Sequence, residues 1–175
     1  MRKPVFVWDA FVRLFHWSLV LSFGANALFT DPESKLHHGV GYVAVGLVVA
    51  RILWGLIGTR HARFSDFPPD PAAALGQVAE MATGRRNAHR GHSPLGALMI
   101  YNLLLSVIVI GASGYLMTTL AFFGVEWVEE LHEAAVLWAE ASVVLHILAV
   151  VFESRRLGIN LPRSMVTGYK DMPET

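Results

Sequence analysis

The segment LHEAAVLWAEASVVLHILAVVF, residues 131–152, is apolar enough to cross a membrane, yet it carries two histidines. His132 and His146 are fourteen residues apart. On an α-helix this spacing leaves the side chains about 40° apart around the axis and about 21 Å apart along it. One helix therefore presents two imidazoles in nearly the same direction, one near each bilayer surface. The pattern predicts two ligand positions at different depths, each completed by a residue from elsewhere in the chain.

The composition also indicates a membrane protein. The 175 residues are 54% hydrophobic and 16% charged, with a mean hydropathy of +0.46. Three further stretches without formal charge lead us to predict an all-α membrane protein, a four-transmembrane-helix bundle. The first stretch lacks the small-residue cleavage site of a secretory signal. The expected single membrane-embedded domain, 1–175, has approximate spans 9–30, 36–57, 93–119 and 131–153 and a loop at about 58–92.

The lysines and arginines predict the orientation of this bundle. Thirteen of the fourteen fall on one side of the predicted spans, and Lys35 alone falls on the other. Both termini and the 58–92 loop are therefore expected in the cytoplasm. The outer side instead collects acids, which would steer a cationic partner or simply mirror the positive-inside bias. These acids are Asp31, Glu33, Glu126, Glu129, Glu130 and Glu133.

Four histidines fall at membrane depth, where ionisable residues are costly and usually functional. His16 lies about two turns into the first span, for which Asp9 is the predicted N-cap, and His146 lies near the cytoplasmic end of the last span. Because these spans run in opposite directions, both histidines are expected in the cytoplasmic half. His37 and His132 begin two spans that both start outside, so they are expected to share the outer half.

Each pair is suited to hold the iron of a planar macrocycle between two imidazoles. Such ligation fills both axial positions and favours electron transfer over oxygen binding. A zinc site fits less well, because it requires three or four converging ligands. The other alternative is that the four histidines form hydrogen bonds between helices and bind no metal. His38 could also be the ligand in place of His37. The absence of cysteine excludes disulfides, thiolate-ligated clusters and cysteine-attached haem.

Other polar residues carry weaker signals. Arg51 is interpreted either as the partner of a haem propionate or as a boundary arginine that snorkels. His92 precedes Ser93, the predicted N-cap of the third span, and could contact a propionate or quinone or play an ordinary interfacial role. Arg13, Arg51 and His92 are the candidates for a quinone site on the inner side. Glu140 has two readings, a proton-handling group or a neutral hydrogen bond to another helix.

An ordered set of motifs spans about residues 5–170. The set consists of VWDAFVRLFHW (7–17), LHHGVGY (36–42), RILWGLIGTRHARFSDF (51–67), GHSPLGALMI (91–100) and the 131–152 segment. Together these motifs resemble the bacterial membrane-embedded b-type cytochromes of the cytochrome b561 group, which includes the cytochrome b subunit of nickel–iron hydrogenases.

The resemblance implies a four-helix bundle in the bacterial inner membrane that holds two b-type haems. It assigns the haem ligands to His16, His37, His132 and His146, and so favours His37 over His38. Short outer loops, of about five and ten residues, count against a hydrogenase subunit. Glu140 is not expected in this family.

We therefore expect a cytochrome b that passes electrons between a periplasmic redox partner, such as a c-type cytochrome, and the quinone pool, ubiquinone or menaquinone. The alternatives are a haem-bearing anchor of a larger oxidoreductase such as a hydrogenase, a superoxide-oxidising quinone reductase, and a haem-free structural or transport protein. The chain is expected to act as an electron carrier, with quinone oxidoreductase activity left open. We expect the chain to contact membrane lipid and not to bind nucleic acid. Glycines in spans two and three suggest that it forms a homodimer.

Overall fold

Helices dominate the computed structural model, which describes residues 2–173. The two short strands are β1 (Arg2–Phe6) and β2 (Tyr169–Pro173). The helices are α1 (Ala10–Phe29), α2 (Lys35–Ile57), α3 (Pro71–Ala82), α4 (Pro94–Met117), α5 (Glu126–Leu157) and α6 (Leu161–Thr167).

Three of these helices, α2, α4 and α5, are long and apolar enough to cross a membrane. The 20-residue α1 is not among them, and it includes the polar residues Arg13, His16 and Asn26. A fourth span through α1 therefore stays a prediction. Helix α5 begins at Glu126, five residues before the predicted start. Its acidic first turn, which resembles a loop in the sequence, is favourable at the positive end of the helix dipole.

Short polar side chains cap the helices as the sequence predicts. The Asp9 carboxylate accepts a hydrogen bond of 2.8 Å from the Val12 amide at the start of α1. The Ser93 hydroxyl accepts one of 3.2 Å from the Gly96 amide at the start of α4. Both predicted caps are confirmed.

The two strands pair with each other in an antiparallel ladder that runs from Arg2 opposite Pro173 to Phe6 opposite Tyr169. The turn before β2 is made by Gly168, whose φ of 88° is readily adopted by glycine. Its carbonyl accepts hydrogen bonds from the Val7 and Trp8 amides at 2.9 and 3.1 Å. The beginning and the end of the described chain are therefore joined.

The chain divides into two compact units. The helical unit comprises Leu14–Ile52 and Asn102–Val143. The terminal unit comprises Leu53–Tyr101 together with the stretch that ends at Arg13 and the stretch that begins at Val144. The core of the terminal unit is formed by Val7, Trp8, Val12 and Ala62, with Val5, Trp54 and Met165 packed against them.

Candidate functional site

Two histidines lie close together inside the helical unit. His37 lies in the first turn of α2 and His132 in the second turn of α5. The centroids of their imidazole rings are 6.5 Å apart, and the ring planes are inclined by 64°. His37 is half-buried, whereas the adjacent His38 is exposed.

Hydrogen bonds orient the His37 ring. Its Nδ1 lies 3.0 Å from the Thr30 hydroxyl, which itself donates to the Asn26 carbonyl at 3.0 Å. Because the hydroxyl has only one proton, it accepts the hydrogen bond from Nδ1–H of His37. This tautomer leaves the lone pair on Nε2. The Asn26 side chain also donates to the His37 carbonyl at 3.0 Å and so ties the two helices together.

The His132 ring is held in the same way. Its Nδ1 lies 3.0 Å from the Ile110 carbonyl and 3.1 Å from the buried Ser113 hydroxyl. The carbonyl can only accept, so Nδ1 of His132 carries the proton and Nε2 again carries the lone pair. A methyl group at Gly114 would lie 3.1 Å from Cε1 of His132, so the glycine makes room for the ring.

This geometry fits a pair of axial ligands. Two imidazoles that bind one metal through Nε2, with bonds of about 2 Å, have ring centroids roughly 6 Å apart on opposite sides of the metal. The observed separation is 6.5 Å. Hydrogen bonding of the second ring nitrogen is also the usual way in which a protein orients a metal-binding histidine.

A zinc site has less support from the side chains. Tetrahedral zinc requires three or four protein ligands that converge on one point. Among residues 2–173, no group of three or more histidine, cysteine, aspartate or glutamate side chains is placed to hold a metal ion. The pair formed by His37 and His132 supplies two protein ligands, which is the number that a planar macrocycle needs.

The comparison with known families decides the class of protein. A family model described as prokaryotic cytochrome b561 matches residues 7–168, almost the whole chain. The chain belongs to this family. Membership confirms the resemblance seen in the motifs and makes the protein a membrane cytochrome b that binds haem b and transfers electrons. No curated protein and no solved structure matches the chain significantly.

The other two histidines predicted as haem ligands of this cytochrome b561 belong to different compact units. His16 lies on α1 in the helical unit, half-buried and edge-on to Trp17 at 5.2 Å between ring centroids. His146 lies half-buried on α5 in the terminal unit. Because the two belong to different compact units, their predicted pairing stays a prediction.

The candidate quinone-site residues of the cytochrome have distinct surroundings. Arg51 on α2 is only 3% exposed, which argues against a snorkelling arginine, whose head reaches water. Arg13 donates from Nη1 to the Val166 carbonyl at 2.6 Å and from Nε to the Asp9 carbonyl at 3.3 Å. His92 is packed in the terminal unit against two aromatic rings, those of Trp8 and Phe67.

The structure also explains two of the motifs of the cytochrome. The Asp9 carboxylate of VWDAF accepts hydrogen bonds from Trp54 Nε1 at 3.0 Å and from the Thr59 hydroxyl at 2.5 Å. Both donors belong to the RILWGLIGT motif. Sequence analysis identifies Asp9 as a cap but misses this second role, because the donors are 45 and 50 residues away.

The residues that orient the two facing imidazoles were also missed. These residues are polar, although they lie within apolar segments or at their ends: Thr30, Asn26 and Ser113. A polar residue in an apolar segment is the sequence feature that could have identified them. Which histidine each one contacts depends on the rotation of the helices, which the sequence does not specify.

Proposed function

We propose that this cytochrome b561 holds two b-type haems in a four-span bundle and passes electrons between a periplasmic redox partner and the quinone pool. The single observation that carries the proposal is the separation of the His37 and His132 rings, 6.5 Å between centroids. Haem iron, when bound, supplies one-electron chemistry between its ferrous and ferric states. His37 and His132 would hold the iron of one haem, and ligation by two histidines would favour this chemistry over binding of oxygen.

The pairing of the terminal strands supports four spans and termini on one side. β1 precedes α1 and β2 follows α6, and the two strands are hydrogen-bonded to each other. An odd number of crossings, such as α2, α4 and α5 alone, would put the strands on opposite sides of the membrane. A further crossing by α1 would bring the two strands to the same side. The distribution of lysine and arginine supports the cytoplasm as that side.

Hydrogen bonds orient the imidazoles of His37 and His132, which would hold the haem of the proposed outer site. The Thr30 hydroxyl and the Ile110 carbonyl accept from the Nδ1–H groups of His37 and His132, and both Nε2 lone pairs stay available. Acceptors of this kind raise the basicity of the coordinating nitrogen. The ligands of the inner haem, His16 and His146, rest on the sequence and on the family resemblance.

Arg51 is the candidate partner of a haem propionate. Its side chain is almost completely buried on α2, and a buried guanidinium is stabilised by an anionic group and by hydrogen bonds. Quinone is proposed to bind on the cytoplasmic side, and Arg51 of the helical unit and His92 of the terminal unit are separate candidates for contacting it. Arg13 is the weakest of the three, because its guanidinium already donates to two backbone carbonyls.

The acidic residues support a cationic partner for the outer haem. The side chains of Glu126, Glu129, Glu130 and Glu133 are all exposed on the first turns of α5, the helix that carries His132. Asp31, in the other loop of the helical unit, is exposed as well. A basic c-type cytochrome would be attracted to such a surface, whereas superoxide, an anion, would be repelled.

The experiment that tests this function uses the purified cytochrome and both proposed partners. We expect a short-chain quinol to reduce the haems, as seen in the reduced-minus-oxidised spectrum, and a basic c-type cytochrome to reoxidise them. The rate of reoxidation by the c-type cytochrome should fall steeply with added salt, because salt screens exposed charges. Failure of both reagents to exchange electrons with the haems would contradict the proposal. A stoichiometric partner that co-purifies and is required for turnover would instead support the anchor-subunit alternative.

A further inference from the structure

A basic cavity of about 340 Å³ lies in the terminal unit, between residues of the loop that connects α2 to α4. Its volume is at the lower end of the range for small-molecule sites, about 300–1,000 Å³. None of its side chains has a role in the electron-transfer proposal except His92. The polar lining consists of Arg60, His61, Asp66, His89, Arg90 and His92.

The inner wall of this cavity is aromatic and well packed. Phe67 is 5% exposed, and its ring centroid lies 4.2 Å from that of His92. The His92 ring also packs against Trp8, with centroids 4.6 Å apart. Gly91 lies close to His61, since a methyl group at this glycine would be 3.2 Å from Nδ1 of His61. The cavity is therefore bordered by side chains that pack within the terminal unit.

Lys170 holds the loop that carries one of the arginines. It is only 6% exposed, and its Nζ donates to the carbonyls of Gly91 at 2.7 Å and His89 at 3.3 Å. The same Nζ lies 5.0 Å from the centroid of the Trp8 ring. These two carbonyls flank Arg90, so Lys170 on β2 fixes the backbone on both sides of that arginine.

The charge of the lining favours an anion. Two guanidinium groups, of Arg60 and Arg90, are opposed by one carboxylate, that of Asp66, whose Oδ2 is 4.0 Å from Nε of Arg60. Burial lowers the pKa of His61, so near neutral pH this imidazole contributes an N–H donor more than a charge. A planar guanidinium presents paired donors that match the oxygens of a phosphate group.

We propose that this cavity binds a phosphate group, through Arg60 and Arg90, with an acidic phospholipid headgroup or free inorganic phosphate as the two sources. The position of the cavity favours the lipid. Helices α2 and α4 are candidate spans. Each lining residue lies close in sequence to an end of one of them, either within ten residues of Ile57 at the end of α2 or within five of Pro94 at the start of α4. A basic site at that level meets the headgroups of the cytoplasmic leaflet.

The test uses the full-length cytochrome with its haems, purified in neutral detergent without phosphate. Retention of phosphatidylglycerol is measured by native mass spectrometry, and binding of inorganic phosphate by calorimetry. We expect the double variant Arg60→Gln, Arg90→Gln to bind about tenfold more weakly or worse, since two charge-assisted donors are lost. The matched control is Arg155→Gln, Arg163→Gln, which removes two exposed arginines of the same unit outside the cavity and should bind as the parent does.

The two probes distinguish the sources of the phosphate. Retention of phosphatidylglycerol, lost only in the cavity variant, identifies the lipid headgroup, and binding of inorganic phosphate alone identifies the free ion. The positioning variant Lys170→Met should weaken either interaction while the haem spectrum stays unchanged. The proposal is overturned if neither probe binds the parent protein, or if the cavity and control variants lose binding equally.

Discussion

His37 and His132 are oriented through the same ring atom: Nδ1 of each lies 3.0 Å from an oxygen, the Thr30 hydroxyl for one and the Ile110 carbonyl for the other. This equivalence leaves two Nε2 lone pairs on facing rings, 6.5 Å apart between centroids. Both rings of the proposed outer haem site are thus held by hydrogen bonds at Nδ1.

Removal of the Thr30 hydroxyl should raise the reduction potential of the outer haem. As an acceptor from Nδ1–H, the hydroxyl makes His37 more basic and so favours ferric iron. A neutral hydrogen bond worth about 1 kcal/mol corresponds to a shift on the order of 40 mV for one electron. We expect Thr30→Val to raise the midpoint of one haem by about that amount in a redox titration.

Thr118 provides the control for this measurement. Its hydroxyl donates to the Tyr115 carbonyl in an exposed turn after α4. Thr118→Val should leave both potentials unchanged, whereas an equal shift in the two variants would mean that Thr30 acts through the fold.

Crowding of the His132 ring should loosen the outer haem. In Gly114→Ala the added methyl would lie 3.1 Å from Cε1 of His132, closer than ordinary van der Waals contact. Overpacking of this kind costs about 1–3 kcal/mol. We expect faster loss of one haem on heating, followed by the absorbance of the reduced protein.

Gly46→Ala is the matched control for this substitution, since nothing lies within 4 Å of a methyl group at that position of α2. Haem loss at the parental rate in both glycine variants would show that Gly114 does not make room for the ring.

Neutralisation of Asp9 should destabilise the terminal unit. In Asp9→Asn an NH₂ group replaces one of the two carboxylate oxygens. In the position of Oδ2 this NH₂ group would leave the donors Trp54 Nε1 and Thr59 Oγ1 without an acceptor. Unsatisfied buried donors cost about 1–3 kcal/mol, so the melting temperature in detergent should fall by several degrees.

Asp70→Asn serves as the comparison for Asp9. Asp70 accepts from the Ala73 amide as the exposed N-cap of α3, and asparagine caps equally well. A similar loss of melting temperature in both variants would contradict the role assigned to the Trp54 and Thr59 donors.

Lys170 should make stability rise with pH in the alkaline range. Burial lowers its pKa from 10.5 to about 8. Between these values the unfolded chain binds more protons than the folded chain, so the free energy of unfolding increases with pH. The slope is at most about 1.4 kcal/mol per pH unit. Chemical unfolding followed by circular dichroism above pH 8 should show this rise, and Lys170→Met should remove it.

Lys3, which is exposed on β1, supplies the control for the pH effect. Lys3→Met should keep the alkaline rise. An unchanged rise in Lys170→Met would mean that the buried ammonium is not its origin.

The sequence predicts the elements whose signal is local. Asp9 and Ser93 were identified as caps because capping depends on the following three residues, and apolar length alone locates α2, α4 and α5. The start of α5 at Glu126 was missed, since an acidic helical turn has the same composition as a loop.

Non-local structure was not predictable. The strands Arg2–Phe6 and Tyr169–Pro173 are five residues each, both contain proline, and they pair across nearly the whole chain. The choice between His37 and His38 is similar, because adjacent helical residues point about 100° apart and only helix rotation decides which one is directed inward. In the structure His37 faces His132, and His38 is exposed.

The number of haems bound by histidine variants of the purified cytochrome tests the proposed ligand pairs most directly. We expect the parent to hold two haems per chain and His37→Ala to hold one, with His38→Ala unchanged. His16→Ala should lose the other haem, distinguished by its midpoint potential. Removal of the same haem by His37→Ala and His16→Ala, or an undiminished haem content in His37→Ala, would contradict the proposed ligand pairs.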